Sequence, residues 1–156
     1  MDRYDELIDH EHKLIIREVN NEQAFFDGIG NTVTEQGRPL DVLFIAGHGS
    51  PDAVVFGTGE EENSRLDIED REIIGAISQY FNNPSTIIFL ACRTGEDEKP
   101  IAAVLANAFR GGDSEGEEKN ITIIAPSSFN KWERTIFDNN NIKDIWYGFF
   151  ATQRRF

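Results

Sequence analysis

The sequence predicts a single α/β domain built on a mainly parallel sheet, a three-layer α/β/α sandwich. Three observations point there. Short apolar runs rich in Ile, Val and Phe recur without polar alternation, as strands buried on both faces do. Stretches of helical periodicity separate them, and the alternation holds from residue 13 to residue 125. The length of 156 residues suits one domain, and 39% apolar content fills one core.

Residues 1–12 are polar and read as a terminus. Residues 13–19 (KLIIREV) make the first expected strand. Residues 20–36 space Ala24, Phe25, Ile29 and Val33 close to one helical turn apart, with Asn21 as the cap. Gly37-Arg38-Pro39 breaks that helix, and residues 41–47 (DVLFIAG) follow as a strand apolar on both faces. Residues 54–57 suggest a short hairpin strand, and residues 58–67 an acidic loop. The spacing of Ile68, Ile73, Ile74, Ile77 and Phe81 predicts a helix over 68–81, stopped by Asn82-Asn83-Pro84. Residues 86–91 (TIIFLA) form the next strand, and residues 100–109 a helix with Pro100 in its first turn, where a missing N–H costs nothing. After a polar loop at 111–120 comes the strand 121–125 (ITIIA). A helix near 131–137 and a strand at 145–151 complete the chain.

Composition excludes several function classes. With 15 Lys+Arg against 28 Asp+Glu, the formal charge is −13, the wrong sign for a nucleic-acid surface that replaces counterions. One cysteine excludes an internal disulfide framework and a cysteine-based zinc cage. No apolar run approaches the ~20 residues that cross a bilayer, and the first residues lack a secretory pattern. A cytoplasmic location is the simplest expectation, with a secreted or injected effector as the alternative.

In a parallel sheet the reactive groups gather at the carboxyl ends of the strands. Two such ends carry chemistry here. Residues 41–47 run into His48-Gly49-Ser50-Pro51, and residues 86–91 run into Cys92-Arg93-Thr94-Gly95. Neighbouring strands lie about 4.8 Å apart, so an imidazole and a thiol one step past two adjacent strands can meet. His48 then serves as base toward Cys92 or stabilises its thiolate, the species that attacks carbonyl carbon. The backbone N–H groups of Gly49 and Cys92 are candidate oxyanion donors. The helix starting near Asp97–Pro100 is expected to favour the thiolate, with Glu96, Asp97 and Glu98 opposing it.

The pair of motifs FIAGHGS and IIFLACRTG, some forty residues apart, resembles the caspase-like cysteine peptidases. That superfamily includes caspases, legumain, gingipains, clostripain, separase and CHAT domains. The likeness is nearest to CHAT-like and related bacterial caspase-like domains, whose second motif often runs Ala/Ser-Cys-x-Thr-Gly. Residues 102–109 and 121–126 are similar to the helix and strand that follow the cysteine in those proteins. The resemblance implies a caspase-like topology and a peptidase with His48 as base or imidazolium and Cys92 as nucleophile. It also implies an oxyanion held by the Gly49 and Cys92 N–H groups, and no metal or organic cofactor. The family's first strand and helix have no counterpart in residues 1–12, which leaves room for a partner subunit or homo-oligomer to supply one.

Other signals weigh less. His10-Glu11-His12 has i,i+2 spacing that splits across a helix, so it reads as an exposed terminus rather than a metal site. A phosphatase loop needs Arg six residues after the cysteine, where this chain has Glu98. Gly57-Thr58-Gly59 precedes three glutamates that would repel phosphate. Those glutamates (60–62) and residues 96–98 are expected to steer Lys- or Arg-containing peptides to the cleft. Ser127, Ser128 and Trp132 follow the next strand end as expected substrate-pocket residues, and residues 111–120 lie where related enzymes carry an activation linker. The expected function is a cysteine endopeptidase acting on protein or peptide. The alternative is a catalytically silent interaction module, or one domain of a larger toxin or effector.

Overall fold

The computed structural model describes residues 13–59, 63–96, 98, 100–110 and 119–127, and the backbone of 132–138, 141–147 and 153–155. Helix α1 (Glu22–Gln36) opens the regular structure. The Asn21 side chain accepts from Ala24 N–H at 2.8 Å, satisfying one of the orphan donors of the first turn. Gly37 closes the helix in the left-handed region (φ 64), its N–H donating to Val33 O. Strand β1 (Leu40–Ile45) follows, and then three two-residue strands, β2 (His48–Gly49), β3 (Val54–Val55) and β4 (Arg65–Leu66), form a small antiparallel sheet. Helix α2 (Arg71–Ile77) lies between 3-10 turns at Ile68–Asp70 and Ser78–Tyr80, and leads into β5 (Phe81–Phe89). Helix α3 (Ile101–Phe109) connects β5 to β6 (Ile121–Pro126). The chain continues through β7 (Trp132–Asp138), β8 (Asn141–Tyr147) and β9 (Gln153–Arg155).

The main sheet runs β1-β5-β6-β9, its first three strands parallel and β9 antiparallel. Register fixes which residues share a face: Leu43 and Ile45 align with Ile87 and Phe89, and Ile87 aligns with Ile123. This odd-numbered face joins one core cluster with Phe25, Phe26 and Ile29 of α1, Ile74 and Ile77 of α2, and Leu105 and Phe109 of α3. Ile88 and Ile124 on the opposite face are also fully buried, so both faces of β5 and β6 are covered. That double burial is why these two strands read as unbroken apolar runs. Ring contacts Phe25–Phe56 (5.3 Å, stacked) and Phe81–Phe109 (6.2 Å, edge-on) lock α1 and α3 onto the strands.

Several expectations need correction. Residues 13–19 pair with no strand among the described residues; Ile16 is 65% exposed, and Arg17 reaches Thr32 and Glu35 so that the segment leans on α1. The loop expected at 58–67 contains β4, which is bonded to β3. The helix expected over 68–81 is interrupted at both ends, and only Ile74 and Ile77 of its apolar set are buried within it; Ile68 is 54% exposed, while Phe81 already belongs to β5. Strand β5 therefore begins before Pro84, through a cis Asn83–Pro84 bond. The helix expected near 131–137 is strand β7, paired with β8. The strand expected at 145–151 overlaps β8 only through Tyr147; residues 148–151 lie outside the described residues.

Candidate active site at two strand ends

Strands β1 and β5 are adjacent and parallel, with Ile45 opposite Phe89, so their carboxyl ends share one edge. Leu90 N–H donates to Ile45 O at 2.8 Å, extending the pairing one step toward the loops. Beyond it the chain places His48-Gly49 against Ala91-Cys92. A methyl group at Gly49 would lie 2.2 Å from Cys92 O and 2.8 Å from Cys92 N and Ala91 C. The two loops thus touch backbone to backbone at Gly49 and Ala91–Cys92. Close approach, not an unusual dihedral, demands glycine here.

The loop geometry directs the donors. Ser50 N–H donates to Ala53 O at 2.9 Å, which makes Ser50 and Ala53 the hydrogen-bonded pair closing the β2–β3 hairpin. Antiparallel pairs alternate, so Gly49 and Val54 form a non-hydrogen-bonded pair and Gly49 N–H points away from β3. The Ser50 hydroxyl accepts from Ala53 N–H at 3.1 Å and stiffens the turn. His48 is exposed on β2 and Cys92 is half-buried in the turn after β5.

The residue after the cysteine, Arg93, adopts a left-handed conformation (φ 63) that costs a non-glycine residue ~1 kcal/mol. Its neighbours hold it there. The buried Thr94 hydroxyl donates to Ala91 O at 2.9 Å, Glu96 N–H donates to Arg93 O at 2.9 Å, and the Arg93 and Glu96 side chains form an ion pair. Gly95 N–H donates to Pro126 O at 2.7 Å, fastening the cysteine loop to the end of β6. Both loops also meet α3: Ile101 N–H donates to Pro51 O at 2.6 Å and Ala102 N–H to Thr94 O at 3.1 Å. Two of the first N–H groups of α3, those of Ile101 and Ala102, are thus engaged by carbonyls of the two loops.

Of the remaining site candidates, only Ser127 has a described side chain. Ser127 follows β6 and is half-buried; Ser128 lies outside the described residues, and of Trp132 only the backbone, on β7, is described. Residues 60–62, Asp97, the 10–12 tract and residues 111–118 lie outside them as well. Glu96 is engaged by Arg93, so it is not an unpaired anion waiting for a basic substrate. No group of three metal-ligating side chains occurs among the described residues. Sequence reasoning missed the supporting residues Thr94, Ser50 and Pro51. Thr94 stood in the Ala-Cys-x-Thr-Gly motif, but its role emerges only from the carbonyl it meets.

A family model described as a domain of unknown function, DUF8616, matches residues 16–135. The chain belongs to the DUF8616 family. The match begins inside the segment before α1, spans both motif loops and ends within β7. Comparison with curated proteins and with solved structures gives no match. No helix among the described residues is long and apolar enough to cross a membrane.

Proposed function

We propose that this DUF8616 domain is a cysteine peptidase of caspase-like topology, with His48 and Cys92 as its catalytic pair. The single observation that carries this reading is the lack of clearance between Gly49 and the Ala91–Cys92 backbone. It holds the His-Gly turn and the cysteine turn at one sheet edge as a built junction. Cys92 sulfur attacks the carbonyl carbon of a peptide, forming the S–C bond of a thioester. Gly49 and Cys92 N–H groups stabilise the oxyanion. His48 takes the thiol proton and passes it to the amine as the C–N bond breaks. Water then attacks the thioester, His48 accepts its proton, and the acid leaves as the thiol is restored. No cofactor enters this sequence. The partner is a protein or peptide substrate, and preference for Lys or Arg before the cut remains part of the proposal.

The test is alkylation by a peptide-based thiol-reactive probe, comparing wild type with His48→Ala and Cys92→Ala. Labelling should need Cys92 absolutely and slow at least tenfold without His48. Labelling indifferent to His48 would reduce Cys92 to an accessible thiol. The exposure of His48 favours a second reading, a catalytically silent interaction module, since an imidazole open to water is a weaker partner for a thiol. That reading predicts hairpin-dependent partner binding that survives Cys92→Ala.

A further inference from the structure

Helix α3 meets both loops of the candidate site. A helix leaves its first N–H groups without partners of its own. At the N-cap of α3 stands Pro100, which has neither an N–H nor a side-chain acceptor to offer. The Ala103 and Val104 N–H groups donate back to Pro100 O at 2.9 and 3.0 Å. That leaves the donors of Ile101 and Ala102, and each goes to a different loop. Ile101 donates to Pro51 O at 2.6 Å and Ala102 to Thr94 O at 3.1 Å. The cap of α3 therefore comes from two carbonyls, one on the loop that carries His48 and one on the loop that carries Cys92.

Each carbonyl belongs to a residue tied to the reactive position. The buried Thr94 hydroxyl donates to Ala91 O, so the backbone bonded to Ala102 is held against the residue before Cys92. Pro51 lies in the turn that follows Gly49. There the Ser50 hydroxyl accepts from Asp52 N–H at 3.3 Å and from Ala53 N–H at 3.1 Å. With Gly49 seated against Ala91–Cys92, these bonds close a ring that runs from the His48 loop through α3 to the Cys92 loop and back. Core packing fixes the helical side of that ring: Ile101, Ala102, Leu105, Ala108 and Phe109 are at most 2% exposed.

The two connections act in opposite senses. A contact without clearance, as at Gly49, stops the loops from approaching but does nothing to stop them parting. Consecutive amides of one packed helix cannot separate, so carbonyls bonded to them cannot drift apart while those bonds last.

We propose that Ile101 and Ala102 are positioning residues. Through their backbone N–H groups they set the spacing between the His48 loop and the Cys92 loop, so that both loops open and close as one unit with the first turn of α3. The consequence for rate rests on the peptidase reading; the coupling of the loops does not.

The experiment is residue-resolved amide hydrogen exchange of the full chain, with Ile101→Pro compared against Ile101→Val. Valine keeps the N–H and carries as many side-chain carbons as proline. Proline fits the first helical position but removes the donor, and its ring fills the space that the N–H spanned to Pro51 O. In wild type, the hydrogen-bonded amides of Ser50, Gly95, Ile101 and Ala102 should share one opening, with protection factors within about threefold of one another as denaturant is added. Relative to Ile101→Val, Ile101→Pro should speed exchange at both Ser50 and Gly95 by about fivefold or more, while the amides of β5 and β6 hold. The inactivation rate constant of the peptide-based probe at Cys92 should fall about tenfold in Ile101→Pro, with its half-saturating concentration unchanged. Separate openings in wild type would overturn the proposal, even if Ile101→Pro does not fold. Equal loop exchange in the two variants would also overturn it, and an unchanged inactivation rate on loosened loops would remove the positioning role. Coupled exchange in a protein whose labelling ignores His48 would keep the coupling and sink only the peptidase reading.

Discussion

Replacing Gly49 with alanine places a methyl carbon 2.2 Å from Cys92 O, with Cys92 N and Ala91 C at 2.8 Å. Carbon–oxygen contacts settle near ~3.3 Å, so the β2 hairpin and the cysteine turn must part by about 1 Å. None of the three atoms is the end of a flexible side chain, so the shift falls on backbone that other contacts also hold. Gly95 is tied to Pro126 O, and Ile101 to Pro51 O. Overpacking of this kind costs about 1–3 kcal/mol. If the pair is catalytic, a misplacement of ~1 Å also lowers its rate by on the order of 100-fold. Chemical denaturation and the rate of Cys92 alkylation measure the two effects separately. Gly75→Ala is the matched control. Nothing lies within 4 Å of its added methyl, and it sits inside α2, so it should stabilise by about 0.5–1 kcal/mol. A Gly49→Ala protein within about 0.5 kcal/mol of wild type, with unchanged alkylation, would refute the junction on which the site reading depends.

Other consequences follow from the same coordinates. Burial, a hydrogen bond with Asp70 and the charges of Asp70, Asp67 and Glu69 push the Glu22 carboxyl from 4.5 up to about 7. The folded state therefore holds this proton more tightly than the unfolded chain. Its contribution to stability is complete below the unfolded value and is lost as pH rises through about 7. Thermal unfolding midpoints should fall as pH rises from 4.5 to about 7 and level off above that, and Glu22→Gln should flatten that fall; parallel profiles for the two proteins would refute the linkage. The Ser85 hydroxyl is buried without a hydrogen-bond partner among the described residues, so Ser85→Ala should be neutral or stabilising by about 1 kcal/mol in urea titration, and a marked loss would expose a partner. Thr94→Val removes the buried donor to Ala91 O and should destabilise by about 1–3 kcal/mol, with faster backbone hydrogen exchange confined to the cysteine turn. Unchanged exchange there would show that the hydroxyl does not hold the turn.

The legible parts of this chain are those whose information is local. Asn21 and Gly37 bracket α1 because capping needs only the neighbouring backbone. The runs in β5 and β6 announce buried strands because both of their faces meet core. The strand end bearing Cys92 could be named for the same reason. Local pattern failed where pairing or register decided the outcome. Residues 13–19 carry a strand composition, yet a strand exists only when another backbone bonds it, and none among the described residues does. Residues 131–137 show helical spacing, but Trp132–Asp138 pairs with Asn141–Tyr147, an interaction no periodicity records. Ile68 and Ile73 match a helical stripe and still face solvent, since the stripe is divided between a 3-10 turn and α2.

Residue types and their spacing determined that an imidazole and a thiol lie at the ends of apolar strands. Only the tertiary structure decided that β1 and β5 are neighbours and that Gly49 meets Cys92 without room for a methyl group. Those facts depend on contacts between residues far apart in the chain, whose energies belong to pairs of segments and not to either segment alone.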